Sequence, residues 1–594
     1  MRVSFVSRLS AFVALVCVCV CVVASSEHAK LSSGRENEAT PTTTSPKTKS
    51  ASHSGAQATD GPKLADLLGG APDAVLAPLA PLAEQFKSGL VAQLTEEQPK
   101  GLWQLVDKVF ALLLGTDAPD EKGTKSKYAE FALNDHSNDH LAYATPQELI
   151  ESAGFKHRTH LVQADDGYIT QVLQVINPLA DRRKLKQPPV AMFHGGTLDT
   201  AQYIIQSTVQ HRPERWPRVE GAIHTSWNRS LAFVLANNGY DVWLVGSRGC
   251  NSANQGHRRL TNYKRLMGTD PVEQRNADWS GELVQTAVNY WSNHTFDDVI
   301  EKEMPRQLER IMQLTNSPKV SIVALSNSSP STMGLLASRP DIGARVHNYV
   351  IIAPVLSDKN THRMGKLFYR TFGTMLDDKI GAILWSEMLL SRPFRDAVLA
   401  LIKAPLLRYS LIKLVTNVAF GPSPRFQTLI EPNSLNHIMN PLGYKTLKHI
   451  CQTLIAGKVQ RFDYGPIENK LRYNSLTPPE YDMSKMKCAN WMIVTAEHDP
   501  LCNKEDVDKL IATTPKRPYK HVYLKNANHL DTVLMFENDI KINLPILKFM
   551  DKFPYKRPKR STHCNCTRVD LKKVDKILAK FVPPYDRTLH DKSP

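Results

Sequence analysis

The sequence predicts an α/β fold in which a mostly parallel sheet is flanked by helices and interrupted by an all-helical insert. Short runs rich in β-branched residues alternate with segments that carry apolar residues at helical spacing. This alternation begins near residue 144 and resumes near residue 482, whereas residues 355–481 contain apolar helical blocks and no convincing strand. Such alternation implies parallel strands joined by crossover helices, and the insert is most simply a cap or lid over one edge of the sheet.

The first part of the core, residues 144–354, opens with a short helix that Thr145 caps. A hairpin then turns at Asp165-Asp166-Gly167, because Asp-Gly favours a tight turn. Strands are predicted at 158–164, 168–176, 190–193, 241–245, 320–325 and 349–353, and helices at 231–236 and 295–312. The second part, residues 482–552, adds strands at 491–495 and 521–524 and a final helix at 539–550.

The strand at 320–325 runs directly into a helix, and Ser326 lies at the corner. A residue at such a corner is strained toward positive φ, so the residues two before and two after it have to be small. Ala324 and Ser328 are small, although neither is glycine. A serine-rich helix cap gives the same local pattern, and Ser328 becomes the corner residue if the strand runs two residues longer.

A serine hydroxyl becomes nucleophilic when a histidine accepts its proton and a carboxylate orients that histidine. Asp499 follows the strand that ends at Thr495, and His529 follows the strand that ends at Leu524. Loops at the carboxyl ends of parallel strands meet at one edge of the sheet. We therefore predict Ser326, Asp499 and His529 as catalytic residues, in the chain order of α/β-hydrolases.

This chemistry also needs backbone N–H groups that stabilise an oxyanion. Asn327, directly after the serine, is one predicted donor. The second is expected in the His194-Gly195-Gly196 loop, which follows an earlier strand and whose glycines let the main chain approach a substrate. Gly196 is the favoured residue, and Thr197 is the alternative.

These residues resemble the acid lipase family, which comprises the gastric and lysosomal triacylglycerol and cholesteryl ester lipases and their invertebrate relatives. The resemblance extends from about residue 145 to about residue 550. It implies a lid-bearing α/β-hydrolase that cleaves neutral lipid esters at a lipid–water interface without a metal or organic cofactor. The matching stretches are Ala164–Tyr168, His194–Gly195, Gly239–Trp243, Gly246–Gly249, Asn440–Pro441, Phe462–Gly465, Asp499–Leu501 and Asn528–Asp531.

The chain departs from the family at the corner, where Gly-His-Ser-x-Gly is replaced by the sequence Ala-Leu-Ser-Asn-Ser at 324–328. Two spacings favour Ser326 over Ser328 as the corner residue. Ser326 lies seven residues after Lys319 and fourteen before Pro340, and these are the spacings of the corner serine in the family. The departure leaves two functions open. One is a serine lipase or esterase that works through an acyl-enzyme; the other is a lipid-binding or scaffold protein that kept the fold and lost efficient turnover.

The N-terminal region of the chain predicts a secretory route. Residues 1–25 match a signal peptide, residues 26–62 a disordered leader, and residues 63–143 a helical extension. No later apolar stretch reaches the roughly 18 residues that a membrane span needs. We expect a protein that is secreted or lies in the lysosomal or endosomal lumen, with candidate glycosylation sites at Asn228, Asn293 and Asn565.

The net charge of +16 is concentrated near the end of the chain, in a basic tail at 553–594. Either this tail is simply solvated or it binds an anionic lipid surface or glycosaminoglycan. A nucleic-acid partner is not expected, because the signal peptide argues against a nuclear protein. Six cysteines remain after residue 25; no spacing resembles a zinc site, and disulfide connectivity stays open.

Overall fold

The computed structural model describes residues 144–205, 229–250, 256–257, 294–357, 420–422, 437, 442–535 and 537–555. Several predictions lie outside these residues: the signal peptide, the leader, the helical extension, most of the first half of the insert, and the tail from residue 556 onward. The three candidate glycosylation sites, Asn228, Asn293 and Asn565, also lie outside them. Within the described ranges, no helix combines the length and apolar character required to cross a bilayer.

The strands in the described part of the chain form one nine-stranded sheet. Its strands are β1 (Lys156–Gln163), β2 (Tyr168–Ile176), β3 (Lys186–Phe193), β4 (Tyr240–Val245), β5 (Gly256–His257), β6 (Val320–Leu325), β7 (Val346–Ile352), β8 (Asn490–Ala496) and β9 (Lys520–Leu524). The spatial order is β1-β2-β4-β3-β6-β7-β8-β9, and β5 pairs with β2. The strands from β4 to β9 in this order are parallel, whereas β2 pairs antiparallel with β1, β4 and β5. This is the α/β-hydrolase fold that the sequence predicts.

Helices join the strands and cover both faces of the sheet. Among the described residues, the α-helices of four or more residues are α1 (Pro146–Ser152), α2 (Leu231–Asn237), α3 (Met304–Thr315), α4 (Ser328–Ser338), α5 (Pro340–Gly343), α6 (Tyr444–Ala456), α7 (Pro466–Tyr473), α8 (Lys504–Thr513), α9 (Asp531–Leu534) and α10 (Leu544–Lys552). The predicted cap at Thr145 is confirmed: its hydroxyl accepts from the Glu148 N–H, and the Glu148 carboxylate accepts from the Thr145 N–H.

Some element boundaries differ from the predictions. The strand predicted from residue 190 begins at Lys186, and the long helix predicted at 295–312 contains a π-helical segment, Val299–Glu303, before α3. Helices α6, α7 and α8 were not predicted individually, although α6 and α7 lie in the insert that was predicted to be helical.

The central strand β6 is buried along its whole length. Its side chains alternate between two apolar clusters: Val323 and Leu325 face one layer, whereas Ile322 and Ala324 face the other. Because both faces are packed, a one-residue slip would exchange the two layers, and the register of the strand is therefore strongly specified. The end of β6 is a rigid platform for the residue that follows it.

Two of the cysteines flank β8. Cys488 and Cys502 are both thiols, so the structure contains no bridge across this strand. Burial raises the pKa of each thiol, which keeps both protonated near neutral pH.

A buried ionic cluster joins the hairpin turn to the helical layer. The guanidinium of Arg248 is fully buried and donates to Asp166 at 2.7 Å and to Glu303 at 2.6 Å. The side chain of Glu303 is 1% exposed, so its charge depends on this partner. Removing one member of a buried ion pair leaves an uncompensated charge in a medium of low dielectric.

We expect Arg248→Met to lower the free energy of unfolding by about 3–5 kcal/mol, because Glu303 would lose its buried counter-ion. Arg306→Met is the matched control, since Arg306 binds the neighbouring Asp165 where both side chains are 48% exposed. The control should cost less than about 1 kcal/mol. Urea denaturation measures the loss in free energy of unfolding for each variant. Equal losses would contradict the expectation that Arg248 contributes more to stability than Arg306.

His294 lies beside this cluster. Its two ring nitrogens are buried. Burial and the nearby charge of Arg248 lower the pKa of His294 to about 3. The imidazole is therefore neutral in the folded protein at any pH near neutrality.

Because histidine in an unfolded chain has a pKa near ~6.5, lowering the pH protonates His294 in the unfolded state first. The contribution of His294 to the free energy of unfolding is fully present above pH ~6.5 and is lost as the pH falls toward the pKa of the folded state. Between pH 7 and pH 5 this group should account for a loss of about 2 kcal/mol. Urea denaturation at both pH values should show that the free energy of unfolding falls by about 2 kcal/mol less in His294→Leu than in the unmodified protein. Equal losses in the two proteins would show that His294 is not the group responsible.

Candidate active site

Ser326 lies where β6 ends and α4 begins. Its φ is 56°, the left-handed conformation that the strand-to-helix corner requires. The Ser326 N–H donates to the carbonyl of Ile352 on the neighbouring strand at 2.8 Å, which fixes the corner against the sheet. A non-glycine residue is held in this conformation only where the surrounding structure determines it, as the packed layers around β6 do here.

The structure brings the three predicted catalytic residues together. Nε2 of His529 lies 2.9 Å from Oγ of Ser326, and Nδ1 of His529 lies 2.7 Å from Oδ2 of Asp499. All three are buried, at 7%, 4% and 3% exposure for Ser326, His529 and Asp499. Because the carboxylate accepts the Nδ1 proton, Nε2 is left free to accept the serine proton. The arrangement can activate Ser326 for acyl transfer.

Neighbouring main chain holds the carboxylate and the imidazole in place. The second carboxylate oxygen of Asp499 accepts from the Leu501 N–H at 2.9 Å. The His529 N–H donates to the carbonyl of Phe420 at 3.0 Å, and the two rings stack with centroids 6.0 Å apart. Phe420 belongs to the insert, so the insert contributes to the position of the histidine.

Ser328, the alternative corner residue, has a different environment. Its hydroxyl accepts from the Leu325 N–H at 2.9 Å and lies 2.8 Å from the Leu325 carbonyl and 3.1 Å from the Phe193 carbonyl. Its side chain therefore contacts main chain, whereas Ser326 contacts the histidine.

The glycine loop lies against the serine. A Cβ on Gly195 would be 3.0 Å from Cβ of Ser326, so this close approach requires glycine. The Gly195 N–H already donates to Oε1 of Gln202 at 2.9 Å. Within the described residues, the N–H groups of Gly196, Thr197 and Asn327 have no recorded acceptor, which leaves them as the candidate oxyanion donors.

Thr197 has a φ of 54°, so the loop turns sharply at the residue proposed as the alternative donor. His194 fixes the loop to the end of β4. Its Nδ1 donates to the Gly195 carbonyl at 2.8 Å, and its Nε2 accepts from the Ser247 N–H at 3.0 Å. The bond to Nε2 requires the neutral ring, because a protonated nitrogen cannot accept, and burial lowers the pKa of His194.

Sequence reasoning missed three residues that support this loop. Gln202 holds Gly195, and Asp199 pairs with His437 at 2.9 Å while both side chains are buried. Asp199 also accepts from the Ala201 N–H, a capping role that its position before a short helical turn could have indicated. Nothing in the local sequence indicates His437, because its partner is 238 residues away.

A small pocket beside His529 has largely apolar walls. Leu198, Ile205, Leu325, Leu530, Val533 and Leu534 line it together with Gln202. On the other side of the loop, Ile450 of α6 packs close to Gly196, where an added Cβ would lie 3.5 Å from its Cδ1. The insert therefore contacts the loop, and apolar surface adjoins His529.

Comparison with known proteins supports the resemblance that the motifs predict. Gastric triacylglycerol lipase of Bos taurus is 24% identical over 423 residues, covering 68% of this chain and 90% of that protein. The Mus musculus protein of the same name is 27% identical over 65% of this chain and 86% of its own length. Lipase member K of Mus musculus is 24% identical over the same shares, 65% and 86%. The similarity to the acid lipase family is thus confirmed, whereas no protein-family model matches the chain.

Solved structures with similar chain traces include esterases. One from Thermogutta terrifontis has a TM-score of 0.32 and 10% identity, covering 67% of this chain and 100% of that chain. A carboxylesterase from Bacillus subtilis has a TM-score of 0.33 and 12% identity, covering 70% of this chain and 98% of that chain.

We expect Asp499→Asn to slow the reaction of Ser326 with a fluorophosphonate by about 10³–10⁴-fold, because the amide no longer holds the imidazole in the required tautomer. Asp482→Asn is the matched control, since Asp482 caps an exposed helical turn at Met483–Lys485. Labelling is followed by mass spectrometry over time. A labelling rate within threefold of the unmodified protein would show that Asp499 does not orient the base.

Proposed function

We propose that this protein is a serine lipase or esterase that hydrolyses neutral lipid esters, acylglycerols or sterol esters, through an acyl-enzyme. The observation that carries the proposal is the hydrogen-bonded series from Ser326 through His529 to Asp499. Its position at a strained corner beside an apolar pocket supports acyl transfer over a purely structural role for these polar residues.

In the proposed reaction, Oγ of Ser326 attacks the ester carbonyl while Nε2 of His529 accepts the hydroxyl proton. Asp499 stabilises the imidazolium that forms. The negative charge on the carbonyl oxygen is stabilised by the N–H of Asn327 and by the N–H of Gly196, or of Thr197 in the alternative assignment. The imidazolium then protonates the departing alcohol, and a water activated by the same histidine releases the carboxylic acid.

The substrate class is supported by the pocket and by the relatives. Six aliphatic side chains line the small pocket beside His529, so the surface next to the imidazole is apolar and offers little to a polar group. Two relatives that match about two thirds of this chain are named as triacylglycerol lipases. The residues proposed for catalysis are all supplied by the chain itself, so the proposed steps use no metal or organic cofactor.

The cellular setting is part of the proposal. A predicted signal peptide and relatives named as gastric lipases support a secreted protein or one in the lysosomal or endosomal lumen. The basic tail at 553–594 would then assist binding to an anionic lipid surface, and Asn228, Asn293 and Asn565 would carry glycans.

The proposal is tested with purified protein and three substrates: a p-nitrophenyl ester, a triacylglycerol emulsion and a cholesteryl ester emulsion. Ser326→Ala should lower turnover by about 10⁴-fold or more, because no other group can form the acyl-enzyme. Ser338→Ala is the control; its hydroxyl donates to the Gly334 carbonyl near the other end of α4.

The runner-up function makes the opposite prediction. A protein that binds lipid without turnover, as the missing glycines at 324 and 328 allow, would carry an unhydrolysed ester through purification. Its affinity for that ester would be the same in Ser326→Ala, and no substrate would be cleaved. This pair of results would overturn the enzymatic proposal.

A further inference from the structure

We propose that Ser328 is a positioning residue for the oxyanion hole, and that its hydroxyl performs in this chain a task that a glycine at the same place cannot perform. The inference rests on the proposed function. It concerns the position where the chain departs from the pattern of the acid lipase family.

The hydroxyl of Ser328 connects the ends of two parallel strands. The paired register of β3 and β6 stops at Phe193 and Ala324. One residue beyond, the Leu325 N–H donates to Oγ of Ser328 at 2.9 Å, and the same oxygen lies 3.1 Å from the Phe193 carbonyl. The hydroxyl therefore extends the contact between the strands past the point where main-chain pairing ends.

The Phe193 carbonyl is held from a second direction. The hydroxyl of Tyr203 donates to it at 2.8 Å. Ser328 has one proton, which is shared between this carbonyl and that of Leu325 at 2.8 Å, so Tyr203 and Ser328 act on the same acceptor. Both side chains are buried, at 3% and 4% exposure, so no bulk water competes for these bonds.

These contacts bear on the two segments that carry the oxyanion donors. Phe193 directly precedes the His194-Gly195-Gly196 loop, and Asn327 directly precedes Ser328. The Ser328 side chain thus contacts main chain next to both donors and contributes to the separation between the loop donor and the donor at the corner. Oxyanion donors act at about 2.7–3.1 Å from the oxygen that they stabilise, so a small change in this separation weakens the transition state.

The glycine at this position of the family pattern allows a helix to approach the neighbouring strand closely. Here the side chain occupies that space and finds polar partners there, with 4% of its surface exposed. A substitution to glycine would therefore remove hydrogen bonds without relieving a clash. The sequence Ala-Leu-Ser-Asn-Ser at 324–328 would then be a functional variant of the family pattern Gly-His-Ser-x-Gly.

The test uses the full chain and compares Ser328→Gly and Ser328→Ala with the unmodified protein. Active sites are titrated with a fluorophosphonate, and kcat and KM for a p-nitrophenyl ester are expressed per titrated site. Both variants should lose about tenfold in kcat with KM within twofold, because the oxyanion contacts form in the transition state. A purely structural role would reduce the number of titrated sites and leave kcat per site unchanged.

Tyr203→Phe keeps the test decisive if the Ser328 variants do not fold, because it removes only the second hydroxyl on the Phe193 carbonyl. It should lower kcat per site by about threefold, whereas Ser338→Ala should not change it. An unchanged kcat per titrated site in Ser328→Gly would overturn this inference and leave the proposed function standing. If Ser328→Gly cannot be made, an unchanged kcat per titrated site in Tyr203→Phe would have the same consequence. Failure of the unmodified protein to react at Ser326 would overturn the proposed function and this inference together.

Discussion

The backbone conformation of Ser326 is the constraint on which the site depends. A φ of 56° is uncommon for a residue with a side chain, and it costs on the order of 1–3 kcal/mol. The packing of β6 between two apolar layers offsets this strain, and the hydrogen bond from Ser326 to Ile352 anchors the corner to the next strand. Without that platform, the hydroxyl would turn into the helix and lose the histidine.

The parallel sheet provides the rest of the site. Because β3, β6, β8 and β9 all run in the same direction, the loops at their carboxyl ends meet at one edge. The glycine loop, Ser326, Asp499 and His529 each follow one of these strands. The insert adds Phe420, His437 and Ile450 around them. Residues far apart in the sequence therefore become neighbours through topology, and individual side chains adjust the final distances.

Much of this arrangement could be predicted from the sequence, because it follows from local pattern and order. The strand Val320–Leu325 has the bounds that the sequence predicts from a short β-branched run before a serine-rich turn, and the alternative that extends it by two residues is wrong. The start of β3 was missed because Pro188 and Pro189 cannot donate hydrogen bonds. The strand continues through them at an irregularity in its register with β4, between Lys186 and Val190.

The support of the site could not be predicted, because it depends on tertiary contacts. Gln202 and His437 look like ordinary polar residues in the sequence, and only the fold places them on the glycine loop. The same holds for Arg248, whose stretch was noted for its resemblance to the family but whose carboxylate partners are 82 and 55 residues away. The π-helical segment before α3 was also missed, since a periodicity of 3.6 residues cannot reveal one wider turn.

The most direct measurement is a crystal structure of the protein after reaction with a fluorophosphonate. The adduct imitates the tetrahedral intermediate, with an oxygen where the oxyanion would form. We expect phosphorus bonded to Oγ of Ser326 and that oxygen within about 2.7–3.1 Å of the N–H of Asn327 and of Gly196 or Thr197. Phosphorus on another residue, or an oxygen turned away from both N–H groups, would contradict it.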